Sequence, residues 1–324
     1  GGTVSSSAGN IGRLAGSTGT ARVSGGTWTN GSTLAVGLEG TGTLDLTGGT
    51  VSSSATFLGF SAGSNGTLNM GTGTSAGILD TASVETGQGS GTLNITHNEA
   101  DYHFTDDGTS DGNAINIAGS TTVNHLNTGT TTLSGNNTYT GDTTISAGTL
   151  LIDGSLTNSD VTVENGGTLG VDGNIDGEVV IEDGGMLAAG NSPGTLGIGT
   201  LVFSVSAEMT FDLDQAGITG GGINDLVEVT GDLTLDGLLF ITGLSEFGEG
   251  TYTLFTYGGS LIDNGLEITN APAGFLFEID TSNAGQVDVI VTIPEPSTGG
   301  LLVVSGLVGF WLRRRNSQQK TQKS

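Results

Sequence analysis

A peptide of seven residues occurs twice in this chain, unchanged. Residues 1–7 (GGTVSSS) return at residues 48–54, and the variant GGTW stands between them at residues 25–28, so the steps are 24 and 23 residues. A second marker keeps nearly the same period, with GTARV at 19–23, GTLDL at 42–46, GTLNM at 66–70 and GTLNI at 91–95. Each marker opens with a glycine and is then apolar at every second position, which is typical of a half-buried strand.

Short strands that repeat with a period of about 23 residues predict one coil of a β-solenoid. A single coil cannot bury its inner face, but stacked coils share one continuous core, about 4.8 Å apart. Glycine fits the corners of such coils because it adopts positive φ without a Cβ penalty. A β-sandwich with similar turns is the alternative.

The composition narrows the class of protein further. The 60 glycines among 324 residues disfavour long helices, and the lack of cysteine excludes disulfide scaffolds, Cys-based zinc sites and cysteine nucleophiles. No Lys or Arg lies between Val23 and Leu312, whereas that stretch holds all 33 acidic residues. A surface without cations cannot neutralise phosphates, so nucleic-acid binding is excluded. The chain opens with Gly1 and has no leader pattern, so we expect any export signal to lie upstream.

Residues 129–156 contain a recognisable motif. NTYTG at 137–141 is followed by AGTL at 147–150, and the segment closely resembles the autotransporter-associated β-strand repeat. Residues 188–196 (AAGNSPGTL) resemble a turn near the last coils of the same passengers. The resemblance implies a right-handed parallel β-helix, the all-β fold that the period had already suggested.

We therefore expect six regions. These regions are β-helix coils of about 23–25 residues at 1–128, the segment that resembles the autotransporter-associated β-strand repeat at 129–156, further coils at 157–202, a capping β-region at 203–292, a tail signal at 293–315 and a polar extension at 316–324.

The tail combines three features in order. Pro294, Glu295 and Pro296 come first, and prolines hold such a peptide extended. An apolar run follows, and Arg313, Arg314 and Arg315 close it. As a helix, residues 297–312 span about 24 Å, so snorkelling arginines and Trp311 complete a membrane anchor, and the arginines place its end in the cytoplasm. The anchor residues are Leu301, Leu302, Val303, Val304, Leu307, Val308, Phe310, Trp311 and Leu312.

This tail resembles the PEP-CTERM sorting signal. The resemblance implies a membrane-embedded exosortase as partner, an inner-membrane intermediate, and delivery to the surface or exterior of a Gram-negative cell, with exopolysaccharide as a further partner. The nine residues beyond the arginines are longer than is usual for that signal.

An enzymatic alternative rests on one cluster. His97, Glu99, Asp101 and His103 stand close in sequence to Asp106, Asp107 and Asp111, and paired carboxylates suffice for glycoside hydrolysis. Two histidines with several aspartates also suit a metal, with Asp106, Asp107 and Asp111 as the candidate ligands. The opposing hypothesis is that the stretch is another coil with a loop.

The resulting prediction is a non-enzymatic, exported β-helix protein without an obligatory cofactor. Unpaired surface carboxylates repel one another, so weak Ca²⁺ or Mg²⁺ stabilisation is expected. The alternative function is a polysaccharide-active enzyme, or a cation- or glycan-binding module, that uses the 97–111 cluster.

Overall fold

The computed structural model describes residues 1–189 and 193–295, and this part of the chain consists of strands and turns, without a helix. The strands stack in parallel as coils of a β-helix, each coil supplying up to three strands. The strands within residues 1–270 pair with one another only in parallel, apart from one isolated bridge between Thr105 and Ala114, which excludes a β-sandwich. The prediction of an all-β solenoid is confirmed.

The first side of the rod contains the repeated Gly-Thr-Leu markers. Its strands are the first part of β3 (Thr18–Asn30), the first part of β5 (Thr41–Ser52), β7 (Asn65–Met70), β10 (Ser90–Ile95), β13 (Thr121–His125), β16 (Thr143–Ile145), β19 (Val161–Val163), the later part of β21 (Asn174–Ile181), the later part of β23 (Thr195–Phe203), β26 (Leu233–Leu235) and β29 (Leu261–Asp263).

The second side takes the next strand of each coil. It comprises β1 (Thr3–Ser6), the later parts of β3 and β5, β8 (Ile78–Asp80), β11 (Tyr102–His103), β14 (Thr130–Leu133), β17 (Gly148–Ile152), β20 (Gly167–Val171), β22 (Met186–Ala189), β24 (Glu208–Leu213), β27 (Leu238–Gly243) and β30 (Glu267–Asn270).

The third side is built from short strands. It comprises β2 (Gly9–Ile11), β4 (Leu34–Val36), β6 (Thr56–Leu58), β9 (Ser83–Thr86), β12 (Asn116–Ala118), β15 (Asn136–Asn137), β18 (Ser155–Leu156), the first parts of β21 and β23, β25 (Leu226–Val229) and β28 (Gly250–Tyr257).

Identical residues stack on one another because the coil length matches the repeat. In the first side Leu44 pairs with Leu68, and Leu68 with Leu93. Val123 continues the column. All four side chains are fully buried, and burying one such side chain stabilises the fold by about 1.5–3 kcal/mol. The core is thus a stack of aliphatic columns along the rod.

The marker glycines serve a different purpose from the corner glycines. Gly37 and Gly59 have φ of 78° and 61° and form corners. Gly66 has no positive φ, but a Cβ on it would clash with the carbonyl oxygen of Val36 and the amide nitrogen of Gly59. Those two atoms form a corner hydrogen bond of 2.9 Å. The Gly-Thr-Leu marker therefore begins with glycine to leave room for a neighbouring corner.

The predicted capping region, residues 203–292, contains two kinds of structure. Parallel stacking continues through β29 and β30. Then β31 (Leu276–Asp280) and β32 (Gln286–Thr292) form an antiparallel hairpin, and β32 pairs with β28. The hairpin covers the end of the core with Val287, Val289 and Val291, which are fully buried.

The predicted membrane helix lies outside the described residues. Pro294 and Glu295 are exposed and follow β32 after Ile293, whereas Pro296 and the arginine cluster are not among the described positions. Within the described ranges no helix is long and apolar enough to cross a membrane.

Candidate functional site

The loop that contains the candidate aspartates leaves a regular coil between β11 and β12. Phe104 and Ile115 fix its two ends in the core, each with about 1% of its surface exposed. Between them Thr105 and Ala114 form an isolated antiparallel bridge. The loop therefore projects from a coil that is otherwise stacked on both sides, since β10 pairs with β7 and β13.

Asp106 closes the loop. Its Oδ1 accepts a hydrogen bond of 2.8 Å from the Asn113 backbone N–H, and its Oδ2 accepts one of 2.7 Å from the Asn113 side-chain amide. Both carboxylate oxygens are thus engaged within the loop. This arrangement gives Asp106 a structural role, and it leaves less of the carboxylate for a ligand.

Asp107 forms a tight turn. Its Oδ1 accepts hydrogen bonds of 2.9 Å from both the backbone N–H and the hydroxyl of Thr109, and the Thr105 hydroxyl lies 3.3 Å away. The Thr109 donors lower the pKa of the Asp107 carboxyl below its ordinary value. A carboxyl held ionised in this way is unsuited to act as the proton donor of a glycosidase.

The structure separates the two histidines of the predicted cluster. His97 is fully buried, whereas the half-exposed His103 has its Nε2 3.1 Å from Oδ1 of the exposed Asp101. Asp111 is exposed in the loop. Among the described residues, no three His, Asp or Glu side chains form a group suited to a metal ion. A metal role for Asp106, Asp107 and Asp111 stays a prediction that this geometry does not favour.

His97 belongs instead to a buried chain of hydrogen bonds that sequence reasoning missed. Its Nδ1 accepts a bond of 3.2 Å from the Glu99 backbone N–H, so its Nε2 carries the proton and donates to the Thr131 hydroxyl over 2.8 Å. Thr131 then donates to His125 Nε2 over 3.1 Å. His125 Nδ1 donates to the Ala147 carbonyl over 2.7 Å. In this arrangement of protons each imidazole carries a single N–H and is neutral.

Burial keeps the pair neutral. Desolvation, with a smaller contribution from the charge of His125, lowers the pKa of His97 to about 4. Desolvation also lowers the pKa of His125, although the Ala147 carbonyl acts in the opposite direction. At neutral pH these residues therefore stabilise the coil as uncharged partners of Thr131, and they are not exposed to a substrate.

A shallow cleft of about 350 Å³ lies beside the loop. Its lining combines carboxylates with backbone, namely Gly49, Thr50, Ala76, Gly77, Ile78, Glu99, Asp101, Tyr102, Asp107 and Gly108. Tyr102 is buried, with its hydroxyl donating to the Gly77 carbonyl over 3.0 Å, and burial raises its pKa. Glu99 Oε2 accepts a bond of 3.1 Å from the Ala76 backbone N–H. The carboxylates make the cleft acidic, which suits hydroxyl groups or cations.

A polar ladder runs along the outer surface of the first side. Asn69 Nδ2 donates to Asp45 Oδ1 over 2.7 Å, Asn94 Nδ2 donates to Asn69 Oδ1 over 2.9 Å, and Asn124 Nδ2 donates to Asn94 Oδ1 over 2.9 Å. Sequence reasoning did not identify it. The sequence does contain a signal for this ladder. A polar residue follows the central leucine of each marker, or Val123 in the last one, and these polar residues stand opposite one another in register.

The segment with the NTYTG motif forms a complete coil. Its three sides are β14, β15 and β16, and β17 begins the next coil by stacking on β14. Tyr139 is fully buried, and its hydroxyl lies 2.7 Å from Thr143 Oγ1, which in turn lies 3.0 Å from Ser159 Oγ. Burial raises the pKa of Tyr139 to about 12. Asn137 Oδ1 accepts a bond of 3.0 Å from the Ile117 backbone N–H of the preceding coil.

Comparison with known proteins agrees with this geometry. A relative, the Adhesin BmaC autotransporter of Brucella suis biovar 1 (strain 1330), is 45% identical over 115 residues, which is 35% of this chain and 3% of that protein. The aligned part is thus a small fraction of the relative. Residues 126–152 match the family model described as Passenger-associated-transport-repeat. The predicted resemblance to the autotransporter-associated β-strand repeat is therefore confirmed for the segment that contains the NTYTG motif.

Proposed function

We propose that the chain is a non-enzymatic adhesive module on the surface of a Gram-negative cell. The observation that carries this proposal is the passenger-associated transport repeat at 126–152, which is one coil of a continuous rod. The 45% sequence identity to an autotransporter adhesin over 115 residues supports it. A rod of stacked coils presents long, flat faces rather than an enclosed pocket, and such faces suit binding to extended surfaces.

We further propose that the tail is a PEP-CTERM sorting signal read by exosortase. Three features support this route by their order, namely the motif of Pro294, Glu295 and Pro296, the apolar run 299–312 and the arginines 313–315. Pro294 and Glu295 are exposed beyond the last strand. A protease could therefore reach this peptide without unfolding the rod, after an inner-membrane intermediate.

Exopolysaccharide is the proposed matrix partner. The chain has a formal net charge of −26, so an anionic polysaccharide would be repelled unless divalent cations bridge the two. We therefore propose binding either to neutral glycans or to acidic glycans through Ca²⁺ or Mg²⁺. Weak cation binding at several surface carboxylates would also relieve repulsion along the rod.

The sorting proposal is tested by replacing Pro294, Glu295 and Pro296 with alanine in the native organism. We expect the variant to stay in the inner membrane with an intact C-terminus, whereas the wild type reaches the surface or medium. Mass spectrometry of the mature C-terminus measures both. Replacing Asn316, Ser317 and Gln318 with alanine is the matched control. Unchanged processing of the motif variant would contradict the signal.

Adhesion is tested separately on whole cells. Antibody labelling and surface proteolysis locate the rod, and attachment to abiotic surfaces and to isolated exopolysaccharide measures binding with Ca²⁺ or with EDTA. We expect a deletion strain to lose attachment and complementation to restore it. Equal attachment of both strains, with the rod present at the wild-type surface, would contradict the adhesive role.

A polysaccharide-active enzyme is the second candidate, favoured by the acidic cleft beside Glu99, Asp101 and Asp107. Glycan digestion by the wild type, and its loss in Asp106→Asn and Asp107→Asn variants, would support catalysis. The internal hydrogen bonds of both aspartates predict instead that these variants lower stability without any activity to lose.

A further inference from the structure

One buried oxygen in the closing hairpin lacks a partner. Asp288 lies in β32 with only 4% of its surface exposed, and its Oδ1 is the single buried side-chain oxygen or nitrogen in the described part of the chain without a hydrogen bond. Its Oδ2 accepts only a long bond of 3.5 Å from Asn283 Nδ2. Burying a carboxylate without partners is costly, so this position requires an explanation.

A second acidic residue stands opposite the first across the hairpin. Asp280 of β31 stands directly opposite Asp288 in the antiparallel register, and directly opposite residues have Cβ atoms about 4.5–5.5 Å apart on the same face. Like charges in this relation destabilise a strand pair. The Oδ1 of Asp280 accepts a hydrogen bond of 2.9 Å from the Ser282 backbone N–H.

The chain offers no cation to balance this pair. Lys and Arg are absent between Val23 and Leu312, and Arg13 and Arg22 belong to coils at the opposite end of the described rod. The missing partner must therefore come from solution.

The chemistry of the available ligands points to a hard cation. Thr281–Gly285 connects the two strands, and Asn283 reaches Asp288 from this exposed loop. Its 3.5 Å contact is at the limit of a hydrogen bond, and a flip of the amide would turn Oδ1 toward the carboxylates. Two carboxylates, an amide oxygen and waters form the irregular oxygen set that Ca²⁺ accepts and Mg²⁺ does not.

We propose that Asp280 and Asp288, with Asn283, bind one Ca²⁺ at the closing hairpin. The ion joins β31 to β32 and covers the buried oxygen. The end of the rod is then most stable in a calcium-containing exterior. This site is distinct from the 105–113 loop, where sequence analysis placed the candidate ligands, and it does not depend on the adhesive or sorting role of the protein.

The test is Ca²⁺ titration of the purified chain by calorimetry, beside melts in EDTA and in 10 mM Ca²⁺. We expect one site with a Kd on the order of 10⁻⁴–10⁻³ M and a rise in Tm of about 2–5 °C. Asp288→Asn and Asp280→Asn should each abolish the site and the shift, and Asn283→Ala should weaken binding about tenfold. Mg²⁺ should bind more weakly.

Glu267→Gln is the matched control, because Glu267 is an exposed acid in the same end of the rod but in another sheet. It removes the same charge and should keep the site. If Asp288→Asn fails to fold, the half-buried Asp280 provides the second variant. Absence of binding to the wild type, or equal binding by wild type and Asp280→Asn, would overturn the proposal and leave a bound water as the partner of Asp288.

Discussion

His97 donates through Nε2 to the hydroxyl of Thr131 over 2.8 Å, and both side chains are fully buried. The Thr131 hydroxyl in turn donates a hydrogen bond to Nε2 of His125. A single hydroxyl therefore satisfies two imidazole nitrogens of neighbouring coils, which makes it a sensitive position for stability.

Thr131→Val keeps the shape of the side chain and removes the shared hydroxyl. Both imidazole nitrogens then lose their partner in the core, and each unsatisfied group costs about 1–3 kcal/mol. We expect a loss of about 2–4 kcal/mol in the free energy of unfolding, measured by denaturant titration. Thr122→Val is the control, since Thr122 lies half-buried on the outward face of β13. Equal effects of the two variants would contradict the hydrogen-bonded chain.

Acidification should destabilise the rod through His97. Its folded pKa of about 4 lies below the ordinary value of 6.5 for an exposed imidazole, so the unfolded chain binds more protons between these pH values. The free energy of unfolding should therefore fall from pH 6.5 to pH 4, on the order of 2–3 kcal/mol for this group. Denaturant titration at each pH measures it.

His97→Gln is the comparison for the pH series, because its amide can donate to Thr131 but does not titrate. Subtracting the variant's free energy of unfolding from that of the wild type at each pH also removes the contribution of Asp225, which is common to both. Burial raises the pKa of Asp225 to about 6, so that residue favours folding as the pH falls below 6. Parallel curves for wild type and variant would show that His97 does not carry the effect.

The coils could be predicted from the sequence because residues of the same type recur once per coil. Leu44, Leu68 and Leu93 were recognisable as core from alternation alone, and the structure stacks them in register. The described structure also explains the marker glycines, although by close approach at Gly66 rather than by a positive φ. Periodicity shows that a position is special but does not reveal which atom approaches it.

The candidate site was less predictable. Nearness in sequence placed His97 and His103 in one cluster, but the coil turns one side chain into the core and the other to the surface. The partner of His97 is Thr131, which lies 34 residues away. A contact at this separation depends on the number of residues in the coil, and the loop between Thr105 and Ala114 changes that number.

The asparagine ladder should contribute to stability in proportion to the bonds that each member makes. Asn94 makes two ladder bonds, to Asn69 and Asn124, whereas Asn124 ends the ladder with one. We expect Asn94→Ala to cost about 1–2 kcal/mol and Asn124→Ala about half of that. Denaturant titration of the two variants and of the double variant measures the coupling. A double variant equal to the sum of the single ones would show that the two side chains do not interact.

Gly66→Ala should be the most damaging of these changes, although alanine adds only a methyl group. The new Cβ would lie against the hydrogen bond between the Gly59 amide and the Val36 carbonyl. Because both clashing atoms belong to the backbone, the coils themselves must move apart. We expect a loss of about 3 kcal/mol or more, measured by thermal and denaturant unfolding.

Gly63 provides the matched comparison for Gly66 in the same coil. It has φ of 78° and no atom within 4 Å of an added Cβ, so alanine there costs only the left-handed conformation, about 1–2 kcal/mol. Asparagine tolerates that conformation better, so Gly63→Asn should recover part of the loss, whereas Gly66→Asn should not. If asparagine rescued both positions equally, backbone conformation rather than close approach would explain the marker glycine, and the column of Gly42, Gly66 and Gly91 would need another reason.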